Sequence, residues 1–258
     1  YAWIKLFHAL SAAFTVAAFF VMGISAINIL AKRNLEVSKR SFRMAAPLGL
    51  VASLLIIVAG DLSAVQVASY QPTKLAAMES VWKTEAGAPF YILQLPKLRG
   101  EGNLIQALPV PKALSLLAYH DPNATVRGLE EFAPADRPSV MTAYLSFRLM
   151  VALGFLFVLL AAIAIWLSRR DSLPPWFLRV MTVALGLPFL ACELGWMLAE
   201  FGRQPWIVYG VLRTRDAVSL SISPLDVLIS LVGFLVVYSC LAAVDVFLLA
   251  KYARKEEA

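Results

Sequence analysis

Apolar residues along this chain gather into runs. About 20 of them in a row suffice to cross the hydrocarbon core of a bilayer. Five runs reach that length, at roughly 4–31, 45–68, 143–167, 176–201 and 224–249. Asp61 interrupts the second run near its end. A long polar stretch, 70–139, separates runs two and three, and a shorter one, 202–223, separates runs four and five. There is no internal repeat and no low-complexity segment. The pattern predicts an all-α integral membrane protein of about five transmembrane helices, organised as a single membrane domain over 1–258.

Composition agrees: 60% of the 258 residues are hydrophobic and 16% charged, against roughly half and a quarter in soluble domains. The positions of the charges then give an orientation. Lys32, Arg33, Lys39, Arg40 and Arg43 follow the first run, Arg169, Arg170 and Arg179 flank the third and fourth, and Lys251, Arg254 and Lys255 follow the fifth. If the spans alternate, these segments share one face, which the positive-inside rule makes cytoplasmic. The 70–139 stretch and the C-terminus then lie on opposite sides, the stretch outside. Basic residues cluster at the ends of apolar runs, so nothing supports nucleic-acid binding. Cys192 and Cys240 stand inside apolar runs and read as small buried hydrophobes. The chain opens at Tyr1 without a charged leader region, which predicts a start in mid-protein.

Several polar groups fall at one depth. His8 lies about one turn below the outer end of span one, Met150 about two turns into span three, and Glu193 about two turns below the outer end of span four. At about 1.5 Å per residue, all three are within roughly 15 Å of the outer surface, and Asp61 lies on the same side. Ionisable groups at such depth are costly and point to function. His8 and Met150 are an imidazole and a thioether, a pair used for electron-transfer haems. Each alone also fits a plain role, His8 as an interfacial residue and Met150 as core filler. Arg148 would meet a haem propionate, or snorkel outward. Glu193 is open to three readings: proton carrier, iron ligand or half of a salt bridge. Glu200, seven residues on, shares its face but sits nearer water. Lys74 and Glu79, five apart, would fall on different faces of a helix and read as a solvated loop pair. His120 and the Asn123-Ala-Thr sequon read as surface features. Gly202-Arg203-Gln204-Pro205-Trp206 is a rigid polar corner whose Arg could hold an anionic group.

That last string resembles the signature of cytochrome bd oxidase large subunits. Five further segments resemble the same family in order. Glu193-Leu-Gly-Trp-Met-Leu-Ala-Glu200 resembles the helix with the glutamate ligand of the high-spin haem b. Gln71-Pro-Thr-Lys74-Leu-Ala-Ala-Met-Glu79 is similar to the start of the quinol-binding loop, and 111–129 to a further stretch of it. Ser146-Phe-Arg148-Leu-Met150 and Phe7-His8 resemble the segments with the methionine and histidine ligands of the low-spin haem b. The resemblance implies that His8 and Met150 ligate the low-spin haem iron, with Arg148 steadying that haem. It implies that Lys74 and Glu79 bind and deprotonate quinol, and that Glu193, rather than Glu200, ligates the high-spin haem b iron. Asp61 matches a family acid near the quinol side. Arg203 and Trp206 would border the haems, Arg203 meeting propionates. Phe189 stands where some members carry a tryptophan.

The implied function is part of a bd-type quinol:oxygen oxidoreductase in a bacterial or archaeal cytoplasmic membrane. Quinol would be oxidised outside, oxygen reduced to water, and the membrane charged by turnover. The family's large subunit has about nine spans, and the first four, with the histidine ligand of haem d, are not in this sequence. The oxygen site, with haem d or a third haem b, would be completed by other polypeptide: the missing N-terminal half or a separate chain. A second large helical subunit, a small single-span subunit and membrane lipid are the further expected partners. The alternative is a cytochrome b-like electron-transfer subunit without oxygen chemistry; a helical transporter without haem is a more distant rival.

Overall fold

A computed structural model describes residues 2–98, 100–170, 173–219 and 221–253. Arg254 and Lys255, used above for orientation, lie outside the described residues. Helix α1 (Ala2–Leu30) turns within residues 31–34 into α2 (Leu35–Tyr70). Lys32 and Asn34 make this turn with positive φ of 57° and 40°. Helix α2 therefore begins ten residues before the second apolar run and continues through Pro47. Lys39, Arg40 and Arg43 are helical rather than in a loop. Hydropathy marks where a helix meets hydrocarbon; it does not mark where the helix starts. The third span is α5 (Val140–Ser168), and the fifth is α8 (Pro224–Ala253).

The fourth span is two helices, α6 (Pro175–Ala184) and α7 (Leu187–Phe201). The break falls at Leu185 and Gly186, just before Pro188. A proline there has no N–H to donate, and its ring crowds the carbonyl four residues back, at Ala184. The numbering of the remaining short elements follows the chain. Between α2 and α5 lie α3 (Pro72–Met78), β1 (Glu85–Ala86), β2 (Phe90–Pro96), β3 (Asn103–Val110), α4 (Ala113–Tyr119) and β4 (Thr125–Val126). Between α7 and α8 lie β5 (Trp206–Val208) and β6 (Leu212–Arg213). The strands form three antiparallel pairs, β1 with β4, β2 with β3 and β5 with β6.

Helices α1, α2, α5 and the α6–α7 pair close into a ring, each packed on the next, with α1 meeting both α6 and α7. At the Lys/Arg-rich end a core of Phe19, Met22, Phe42, Phe157, Phe177 and Met181 fills the ring. Phe19 and Phe157 meet with ring centroids 5.0 Å apart. At the other end the 70–139 segment folds into a cap. Leu75, Met78, Leu114, Val126 and Leu129 pack there with Leu198 of α7. Gly128 lies against the Trp82 carbonyl, where a Cβ would overlap it. Helix α8 stands apart from the ring, with no buried residue in its apolar stretch. Cys192 and Cys240 are exposed, not buried. Helices apolar all round do not show in sequence which side faces protein and which faces lipid.

Candidate functional site

The cap holds an acid against the ring. Pro72 opens α3 at a position where its missing N–H costs nothing, and the helix ends at Met78, with Glu79 as its cap residue. Glu79 is 5% exposed. Its Oε2 accepts a hydrogen bond of 2.7 Å from Nη2 of Arg148 on α5. The reading of Lys74 and Glu79 as a solvated loop pair is thus corrected: a helix folded back on the bundle buries one and half-buries the other. Nη1 of Arg148 donates to the Tyr91 carbonyl at 3.2 Å. Its guanidinium lies over the Phe90 ring, 4.1 Å from the centroid, and 5.3 Å from that of Tyr144. Burial pushes the Glu79 carboxyl up to about 7, and the Arg148 charge and hydrogen bond only partly offset that rise. Desolvation therefore wins over an adjacent cation.

Lys74 leaves α3 on the other side. Its stem runs against Gly202, where a Cβ would come within 3.0 Å of Lys74 Cε. Beside it, Nη2 of Arg203 donates to Glu200 Oε2 at 2.6 Å. Burial, then the charges of Lys5 and Arg203, lower the Lys74 amine to about 8 against the opposing pull of Glu200. The corner is braced by Thr214, whose hydroxyl donates to Gln204 Oε1 at 2.7 Å. Trp206 on β5 lies beneath the Arg213 guanidinium, 5.1 Å away, and Arg213 pairs with Asp136 at 2.5 Å.

His8 and Met150 stand on α1 and α5, opposite members of the ring. Each rests against a glycine of a neighbouring helix. A Cβ on Gly60 of α2 would lie 3.8 Å from His8 Cε1, and one on Gly195 of α7 would lie 3.1 Å from Met150 Sδ. His8 Nδ1 is buried without a hydrogen-bond partner. Met150 is two residues beyond Arg148, so the buried pair and the thioether share one stretch of α5. Glu193 lies on an exposed face of α7, as do Phe189 and Trp196. Asp61 is half-buried, and its Oδ2 lies 3.0 Å from His120 Nε2, within hydrogen-bond reach. His120, read as a surface residue, is exposed and also ties α4 to α2.

The structure thus gathers Glu79 with Arg148, and Lys74 with Glu200 and Arg203. Sequence reasoning missed Lys5, Phe90, Tyr144 and the contact glycines Gly60 and Gly195. Gly195 and Gly202 carried a signal only as members of the Glu193–Glu200 and Gly202–Trp206 strings.

The cytochrome bd terminal oxidase subunit I family model matches residues 1–257. "Cytochrome bd ubiquinol oxidase subunit 1" of Bacillus subtilis (strain 168) is 34% identical over 269 residues, covering 98% of this chain and 56% of the relative. "Cytochrome bd-II ubiquinol oxidase subunit 1" of Escherichia coli (strain K12) is 30% identical over 319 residues, covering 97% and 62%. The solved bd oxidase of Geobacillus thermodenitrificans contains a chain with TM-score 0.81 and 27% identity, matched over 96% of this chain and 57% of its own. The chain therefore spans a little over half the length of these relatives. With the family model matched from end to end, this chain belongs to the cytochrome bd terminal oxidase subunit I family.

Proposed function

We propose that this chain supplies the quinol-oxidising site and the low-spin haem site of a membrane quinol:oxygen oxidoreductase. The observation that carries the reading is the buried Glu79–Arg148 pair. It joins the segment that resembles the quinol loop to α5, two residues from the candidate iron ligand Met150. When bound, the haems supply one-electron transfer and the reduction of oxygen to water. Glu79, poised near neutral pH, takes a proton from quinol; a base works best with its pKa near the working pH. Arg148 holds that carboxylate in place, and Lys74 presents a cation on the other side of α3. Protons leave on the side of the cap. His8 and Met150 would hold the low-spin haem from opposite helices, and the buried His8 Nδ1, which has no hydrogen-bond partner, is a nitrogen that a metal would satisfy. Asp61 is kept as an acid near the quinol side, held by His120. Haem d or a third haem b, with its ligand, belongs to polypeptide outside this sequence, as do the second large subunit and the small one. Quinol oxidation on one face and proton uptake for water from the other would make turnover electrogenic.

The test of the quinol role is Glu79→Gln. Quinol oxidation should fall by tenfold or more, while oxidation of artificial donors acting beyond the quinol site stays near that of the parent. Equal loss with both donors would move Glu79 into general folding, since breaking a buried pair alone costs about 3–5 kcal/mol.

The high-spin haem has two candidate glutamates. Glu193 is the residue the resemblance supplies. A charge in the middle of a membrane helix costs about 2.5–3.5 kcal/mol, and coordination to iron would offset it. A specific observation favours Glu200 instead. A ligating carboxylate is usually oriented by a hydrogen bond to its second oxygen, and Arg203 donates such a bond to Glu200. Alanine at each position separates them. The true ligand's variant should lose the high-spin spectrum and oxygen reduction while the low-spin haem remains reducible. Retention of the high-spin signal in both variants would reassign Glu193 as a proton carrier.

A further inference from the structure

We infer that the β2–β3 hairpin and α4 form an apolar collar that lies in the outer lipid interface and holds the cap at a fixed depth. The hairpin is a two-stranded sheet, and a ribbon of two strands is marginal unless something covers it. One row of it is fastened to the protein. Gln94 Nε2 donates to the carbonyls of Glu79 and Ser80 at 3.1 and 2.9 Å, and Asn103 Nδ2 donates to that of Ser80 at 3.1 Å. Much of the rest is open and aliphatic, with Lys97, Glu101 and Gln106 also exposed. Leu98 at the tip is 81% exposed and Leu104 66% exposed, with Ile92, Leu93, Ile105 and Leu108 also outward. Leu116 and Leu117 extend this surface along α4.

Two tethers set its depth. Arg169 and Arg170 mark where α5 leaves the membrane at its far end. About 20 residues cross the hydrocarbon, and counting back from Ser168 reaches Leu149. Arg148 therefore lies at the opposite boundary. Its bond to the Tyr91 carbonyl holds the root of the hairpin at that level, and Tyr144, one turn higher, holds the Gln94 carbonyl. Independently, Asp61 lies 18 residues beyond Arg43 of α2 and is bonded to His120 at the end of α4. The tethers place the root of the hairpin and the end of α4 at the headgroup level, and the aliphatic surface runs outward from there. It cannot go deeper, because the unpaired edges of a two-stranded sheet have no partners in hydrocarbon. Lipid at the interface is the occupant this placement selects; the inference does not depend on which residues hold haem.

The test uses the intact complex in vesicles of phosphatidylcholine and phosphatidylglycerol. In a Cys192→Ala, Cys240→Ala background that gives no labelling, Leu104→Cys carries an environment-sensitive fluorophore. We expect blue-shifted emission, quenched at least twofold more by a lipid with a nitroxide near its headgroup than by one labelled deep in the chain, and little quenching by aqueous iodide. Strong iodide quenching would place the hairpin in water and overturn the inference. Protection from both quenchers would also overturn it, by showing that protein covers the hairpin. A second label, at Leu116→Cys on α4, must give the same pattern; a divergent result would limit lipid contact to one element and refute a collar.

Discussion

At the scale of single residues, one contact sets the state of a buried acid. Glu79 carries two opposed influences, burial raising its pKa and Arg148 lowering it, and their balance leaves the carboxyl at about 7. As a base it must be ionised, so quinol oxidation should fall as pH drops through about 7. Lys74 titrates at about 8, so loss of its charge should form the alkaline limb. The sign of the Arg148 effect is then fixed. Arg148→Gln removes the cation that lowers the Glu79 pKa, and the acid limb should move to higher pH by about one unit or more. A pH–rate profile measures this directly. An unmoved acid limb would mean that a group other than Glu79 sets it. Glu79 and Arg148 are 69 apart in sequence, which is why spacing left Glu79 as half of a solvated pair with Lys74. The Gly202–Trp206 corner was legible because all its parts are neighbours in sequence.

At the scale of elements, the five spans were legible because a bilayer demands runs of apolar residues. The early start of α2 was not, because its first turns are charged and project past the hydrocarbon. Nor was the split of the fourth span read, although Gly186 and Pro188 carried its cause. The cap was the least legible part. Its short helices bury only a few residues each, and no run or period marks them. The contacts of the glycines between helices are also silent in sequence, and they yield a prediction. Both Gly60 and Gly195 are helical, so alanine at either should aid the helix itself by about 1 kcal/mol. Yet a Cβ at Gly195 meets Met150 Sδ at 3.1 Å, while one at Gly60 meets His8 at an ordinary 3.8 Å. Gly195→Ala should therefore displace the thioether and shift the low-spin haem's absorption maximum or midpoint potential. Gly60→Ala should leave both near the parent values. Equal spectra in the two variants would separate Gly195 from the haem site.

At the scale of the whole molecule, a ring of helices is packed at one end and capped at the other, with candidate haem ligands between. Much of its apolar surface faces outward. Helix α8 and the Phe189–Trp196 face of α7 are open to lipid or to further polypeptide, consistent with relatives nearly twice as long. On the proposed reading, His8 and Met150 hold a low-spin haem next to the Glu79–Arg148 pair. The most direct measurement is the reduced-minus-oxidised absorption spectrum of the assembled complex carrying Met150→Leu, which keeps volume and removes the thioether. Loss of the low-spin band with the other haem bands retained is the expected result. A low-spin band identical to that of the parent would contradict it.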